Sequence, residues 1–366
     1  MSDERERKLA QLLVDYSVDL HKGERCLINA VDVPSSMVEE LITAVYRKGG
    51  YPEVNYTSIT IERAIIEGGN AESFASLADS DSYRMDRMDA FIGIRGVINP
   101  KEMSGITTAM SDYLTCYNTP VHHDRRVANT KWVVLRYPTF LMASQAGMPM
   151  RQFTDYFYSM ILDVDYSRMS DSMDAAVAFM NRAKDVHVVA EGTDLRMSIE
   201  GLPAIKCAGR RNIPDGEIYT APVRDSVQGI ITYNTLSTYE GTTFNGVRFV
   251  IRDGKIIEAT ANNTRRLNEI LDTDEGARYF GEFALGCNPR ITSPMDNTLF
   301  DEKIAGSIHF TPGNAYTTCD NGNRSGIHWD LVQIQRPEYG GGEIYMDGEL
   351  IRKDGVFVHE AFSALN

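Results

Sequence analysis

The chain has 366 residues, 43% of them hydrophobic, which is more than one hydrophobic core usually serves, so two domains are expected. Its 51 acidic against 37 basic side chains give a formal charge of −14. That balance argues against a nucleic-acid binder and against attachment to an anionic membrane, both of which need clustered Lys and Arg.

The opening residues, MSDERERKLAQLL, mix charges of both signs where a secretory signal has a basic start and an apolar run. No later stretch reaches membrane-spanning length, so a cytoplasmic protein is expected. A helix is predicted over roughly residues 4–21, an apolar strand over 25–31, and an amphipathic helix opened by Pro34 and closed by Gly49 and Gly50. A strand near 51–57, helical segments through Ala75, a strand over 90–95, a long helical stretch and a strand over 131–136 follow. This alternation implies a mainly parallel αβα sheet, an α/β domain assigned to residues 1–185. None of its turns carries G-x-G-x-x-G or G-x-x-x-x-G-K-[ST], so nucleotide binding is not expected.

Past a helix around 171–183 the texture changes to short β-rich runs, such as 186–190 and 246–252, separated by Asp-Gly and Asn-Gly turn signals. A second domain, β-rich α+β, is assigned to residues 186–366. It has one interrupting helix over about 261–271 and a closing hairpin over 343–351 that turns on Asp347 and Gly348.

The chain has no G-x-S-x-G elbow and no H-E-x-x-H helix. The five cysteines, Cys26, Cys116, Cys207, Cys287 and Cys319, are widely spaced without a C-x-x-C pair and read as reduced thiols. What stands out is four blocks of metal-compatible side chains flanked by Gly, Pro or Asn. Glu217 follows the turn in 214–222; alone it reads as a solvated turn carboxylate. Glu282 sits in the apolar run 281–289, where a buried carboxylate needs an Arg or a cation. The block 301–316 holds Asp301, Glu302, His309 and Tyr316; if 307–311 is a strand, Ser307, His309 and Thr311 share one face while Ile308 and Phe310 face the core. In the fourth block, an extended 328–330 would point His328 and Asp330 the same way with Trp329 opposite. An imidazole beside a carboxylate suits zinc, manganese, cobalt or iron, but by itself it reads as a structural hydrogen-bonded pair, and only the company of the other three blocks changes that. His21, His122, His123, His187 and His359 are given no role.

Taken in order, PDGEIYTAP (214–222), GEFALGCNP (281–289), DEKIAGSIHFTPGNAY (301–316) and SGIHWDLV (325–332) resemble the motif series of the aminopeptidase T family of thermophilic metalloaminopeptidases. The resemblance is strongest from about residue 205 onward. It implies two divalent ions (Zn, Co or Mn) on Glu217, Glu282, His309, His328 and Asp330, with Glu302 and Tyr316 at further active-site positions. It also implies a peptide or aminoacyl-amide substrate and a homodimer. The sequence departs from the longer members: Lys303 stands where an Asn is usual, Glu302 and His309 are further apart, and the segment from Tyr316 to His328 is short. It resembles a compact branch, and the shortening bears on substrate preference. Three ligand carboxylates and two neutral imidazoles against two divalent ions leave such a site slightly positive, which suits hydrolysis. An alternative stays open, because His309, His328 and Asp330 also make a 2-His-1-carboxylate set suited to one Fe(II), and a ring-opening dihydroxypyridine dioxygenase resembles the same family.

Overall fold

A computed structural model of the chain describes residues 3–366. It divides into two compact units, Met1–Leu162 with Gly209–Ile213, and Asp163–Ala208 with Pro214–Asn366. The helix Tyr166–Met180 therefore packs with the second unit. The class is α/β as expected, a parallel-sheet unit and a β-rich unit.

The first unit is built on a five-stranded parallel sheet in the order Tyr51–Thr57, Arg25–Val31, Ala90–Arg95, Lys131–Arg136, Asn212–Ile213. Four of these strands are those the apolar runs predict. The fifth comes from a distant segment whose two residues carry no periodic signal. Ala90–Arg95 is buried on both faces, as a run of apolar residues in a parallel sheet must be, while Tyr51–Thr57 is a largely exposed edge. The first helix is shorter than expected: it runs over Glu4–Leu12, continues as a π-turn over Leu13–Ser17, and stops before Asp19, whose φ of 44° no helix can continue.

The second unit carries an eight-stranded antiparallel sheet in the order Lys255–Thr260, Arg248–Arg252, Gln228–Thr232, Thr193–Ser198, Asp185–Ala190, Gly342–Met346, Glu349–Lys353, Val356–Phe357. Three of its hairpins turn on Asp253-Gly254, Asp347-Gly348 and Asp354-Gly355, each with positive φ at both residues, the type I′ geometry that matches strand twist. A five-stranded sheet has the order Val332–Ile334, Ser307–Pro312, Phe280–Gly286, Glu217–Thr220, Ile205–Cys207. The helix Thr264–Leu271 starts later than expected because the Asn263 side chain accepts from the Arg266 amide and caps it there. No helix among the described residues is long and apolar enough to cross a membrane.

Candidate metal centre

The five-stranded sheet sets most of the chemistry on one face. Ala284 lies opposite His309, Glu282 opposite Thr311 and Gly286 opposite Glu217, so Glu217, Glu282, His309 and Thr311 project together. The alternate residues project the other way, where Phe310 stacks on Phe280 with centroids 3.9 Å apart and meets Phe283 edge-on. Ser307–Pro312 is a strand with the alternation expected, and it is buried on both faces, with Glu302 and Asp330 lying over its polar side. Gly286 makes that cover possible: a Cβ there would lie 2.3 Å from the Ile304 carbonyl oxygen and 2.5 Å from Ser307 Oγ.

Two donor triplets share Glu282. His309 Nε2 lies 3.0 Å from Glu282 Oε1 and 3.4 Å from Glu217 Oε2. His328 Nε2 lies 3.2 Å from both Glu282 Oε2 and Asp330 Oδ1. In each triplet the donor atoms fall within 4.8 Å of one another, and a further set of Glu302, His309 and Asp330 satisfies the same limit. Residues 328–330 join no named strand, His328 making one isolated bridge with Gly313, and the two side chains converge as the spacing predicts. Trp329 points away and stacks on Tyr239 with centroids 4.7 Å apart.

Backbone carbonyls orient both imidazoles. Nδ1 of His309 is 3.2 Å from the Glu302 carbonyl oxygen and Nδ1 of His328 is 2.8 Å from that of Asn314, so each ring carries hydrogen at Nδ1 and aims Nε2 at the carboxylates. Thr311 Oγ1 donates to Asp330 Oδ1 at 2.7 Å.

The electrostatics follow from packing these charges away from water. Burial disfavours a charged imidazole, yet hydrogen bonding to Glu282 and the field of Glu217 outweigh it and lift His309 to about 9. His328 rises to about 11 against the same burial penalty, through Asp330 and Glu282. Glu282 and Asp330 move below the ordinary carboxylate range despite burial, held down by the two imidazoles. Glu302 goes the other way: burial lifts it to about 8, with Lys303 opposing and Asp330 and Glu217 adding to the rise.

Tyr316 packs tilted against His328 with centroids 4.6 Å apart and remains 47% exposed at the edge of the centre. Its hydroxyl is shifted upward by burial and by the negative field of Asp330 and Glu282. All seven residues singled out in the sequence thus come together. Lys303 joins them, with Nζ 2.6 Å from Glu217 Oε1 and 2.6 Å from Glu302 Oε1.

The model of the thermophilic metalloprotease (M29) family matches residues 2–357. The chain belongs to that family. It is 25% identical over 399 residues to aminopeptidase 2 of Geobacillus stearothermophilus, covering 95% of this chain and 94% of that one. It is 26% identical over 357 residues to aminopeptidase T of Thermus thermophilus, covering 87% and 86%. Among solved structures, wild-type AmpT from Thermus thermophilus superposes with a TM-score of 0.82 at 23% identity, covering 97% of this chain and 99% of that one. The 2,5-dihydroxypyridine dioxygenase of Pseudomonas putida KT2440 shares the fold with a TM-score of 0.65 at 13% identity, each chain covered to 99%.

The centre of this metalloprotease fits a divalent ion on its own geometry. Glu217 Oε2 and His328 Nε2 are buried without a hydrogen-bond partner, the contacts of His328 Nε2 being close but poorly directed. Such orphaned atoms are costly to bury unless a cation satisfies them. Oxygen and imidazole donors without cysteine suit zinc, cobalt or manganese. Sequence reasoning missed the orienting carbonyls of Glu302 and Asn314, which any residue type could supply, and the place of Lys303, which the sequence marked only as a departure.

Proposed function

We propose that the chain is a metal-dependent aminopeptidase that removes the N-terminal residue from peptides or aminoacyl amides. The observation that carries this reading is the pair of carboxylate–imidazole triplets joined through Glu282, with Glu302 at their edge. The naming of its relatives as aminopeptidases supports it. Divalent ions held by Glu217, Glu282, His309, His328 and Asp330 would polarise the scissile carbonyl and acidify the attacking water.

The protein groups divide the remaining work. Glu302, buried at the edge of the donor triplets, is placed to take the water's proton and return it to the leaving amine. The acidic cluster receives the substrate's free ammonium, which sets the cut at the N-terminal residue. Tyr316 donates a hydrogen bond to the developing oxyanion from the rim. Substrate enters past Tyr316, and the short 316–328 segment lines that approach. We further infer a cytoplasmic homodimer acting without nucleic acid or membrane.

A mononuclear iron dioxygenase would use His309, His328 and Asp330 and leave Glu217, Glu282 and Glu302 without a role. The test is metal-reconstituted hydrolysis of a dipeptide and aminoacyl-4-nitroanilide panel with oxygen uptake followed in parallel. Hydrolysis without oxygen uptake is expected. One iron per chain with oxygen consumption and no amide cleavage would overturn the reading.

A further inference from the structure

Only one oxygen of Glu217 is open to a metal. The other, Oε1, is held 2.6 Å from Lys303 Nζ, which also lies 2.6 Å from Glu302 Oε1 and 3.8 Å from Asp215 Oδ1. Lys303 is 1% exposed, so water does not screen this ammonium. Cys207, Asp215 and Glu217 form a further group with metal-compatible spacing beside it. Lys303 already supplies a cation to two of its three members. Gly286 and the Asn288–Ile304 bridge bring the 302–304 segment close enough to insert the lysine.

We propose that Lys303 is a resident cation that makes the two metal positions unequal. The position at Glu282, His328 and Asp330 loads tightly, and the one at Glu217, Glu282 and His309 loads weakly. This rests on the reading of those triplets as metal ligands. An ion on Glu217 Oε2 would share one carboxylate with the ammonium on Oε1, so two like charges would sit a carboxylate's width apart in a site shielded from water. The lysine also offsets negative charge that the ion would otherwise meet and confines Glu217 to a single metal-facing oxygen. The second triplet has no such neighbour: His328 and Asp330 make no ion pair with Lys303 among the described residues. The weak position then fills and empties with metal supply, while Lys303 keeps Glu217 and Glu302 in place when it is empty.

The experiment is a titration of the chelator-stripped full-length protein with Mn2+ by calorimetry, with free Mn2+ counted by electron paramagnetic resonance. Wild type should bind one ion tightly and a second at least about 10-fold more weakly, or about 1.4 kcal/mol. Lys303→Gln removes the charge but keeps a hydrogen-bond donor, and should bring the two constants within about threefold, or roughly 0.7 kcal/mol. Lys303→Arg keeps the charge and should keep the inequality. Two equal constants in wild type, or an unchanged ratio in Lys303→Gln, would overturn the proposal and leave the metal-centre reading standing. No bound Mn2+ in wild type would overturn both. If Lys303→Gln does not fold, the stepwise wild-type constants and Lys303→Arg still decide.

Discussion

Each unit of this protein buries histidine, and the two do opposite things with it. In the parallel-sheet unit, His122 packs edge-on to Phe91 and Tyr117, its Nδ1 has no hydrogen-bond partner, and its charged neighbours are Arg126 and Arg95. Burial and those cations push it down to about 4, so it stays neutral. In the β-rich unit, His309 and His328 meet the same burial penalty, but carboxylates reverse the sign and lift them to about 9 and about 11. Burial alone does not mark a ligand; the company of carboxylates does. A divalent ion then competes with protons that the metal-free site holds tightly, so loading must release them.

The sharpest way to break this contrast is to remove the carboxylate that both imidazoles share. Glu282→Gln takes a donor from each triplet and should weaken metal affinity by more than the roughly 10- to 100-fold typical of losing an outer-shell partner, read as metal lost on dialysis by mass spectrometry. Hydrolysis should fall with it. Metal content near wild type would mean that the centre is held by other groups.

Glu302→Gln asks whether the remaining carboxylate belongs to the ligand set or to the proton chemistry. Metal content should stay near wild type while turnover drops by roughly 100- to 10,000-fold, the usual range for losing a general base. Loss of metal would instead place Glu302 among the ligands, as its grouping with His309 and Asp330 allows. Tyr316→Phe is a milder change. It should lower kcat by about 100-fold with little effect on KM, as expected for a donor that acts in the transition state. A change in KM alone would make Tyr316 part of the substrate wall.

What the sequence revealed depended on how local the signal was. Apolar runs placed the strands of the parallel sheet because their pattern is written in consecutive residues, and Asp-Gly pairs placed the hairpins because type I′ turns demand them. His328 and Asp330 were legible as a pair since a spacing of two puts them on one side. That Glu217 and Glu282 join them depends on register across three strands, which only the ordered motif series hinted at. The short strand Asn212–Ile213 had no local signature, and nothing in the long helical stretch expected between the strands at 90–95 and 131–136 marked Leu114–Val127 as π-helical rather than α-helical. Lys303 shows the same limit: sequence marked it as unusual, but its carboxylate contacts exist only once Gly286 admits the segment that carries it.

The smallest expected effect tests the other side of the comparison. The His122 value of about 4 lies below its unperturbed 6.5, so below pH 6.5 the unfolded chain takes up a proton that the folded chain refuses. His122 therefore contributes stability that is present above pH 6.5 and lost as pH falls through about 4. Discounted for partial exposure, the loss is on the order of 2 kcal/mol. His122→Gln cannot titrate, so the stability difference between wild type and variant should shrink by that amount between pH 7 and about 4, read from urea unfolding of metal-free protein at each pH. Taking the difference cancels the opposite trend of His309 and His328, whose stabilising pairs are complete in acid and fade only as pH rises through about 9 and about 11. A difference that stays flat across this window would mean that His122 protonates freely in the folded protein, and the contrast between the two units would reduce to one of metal binding.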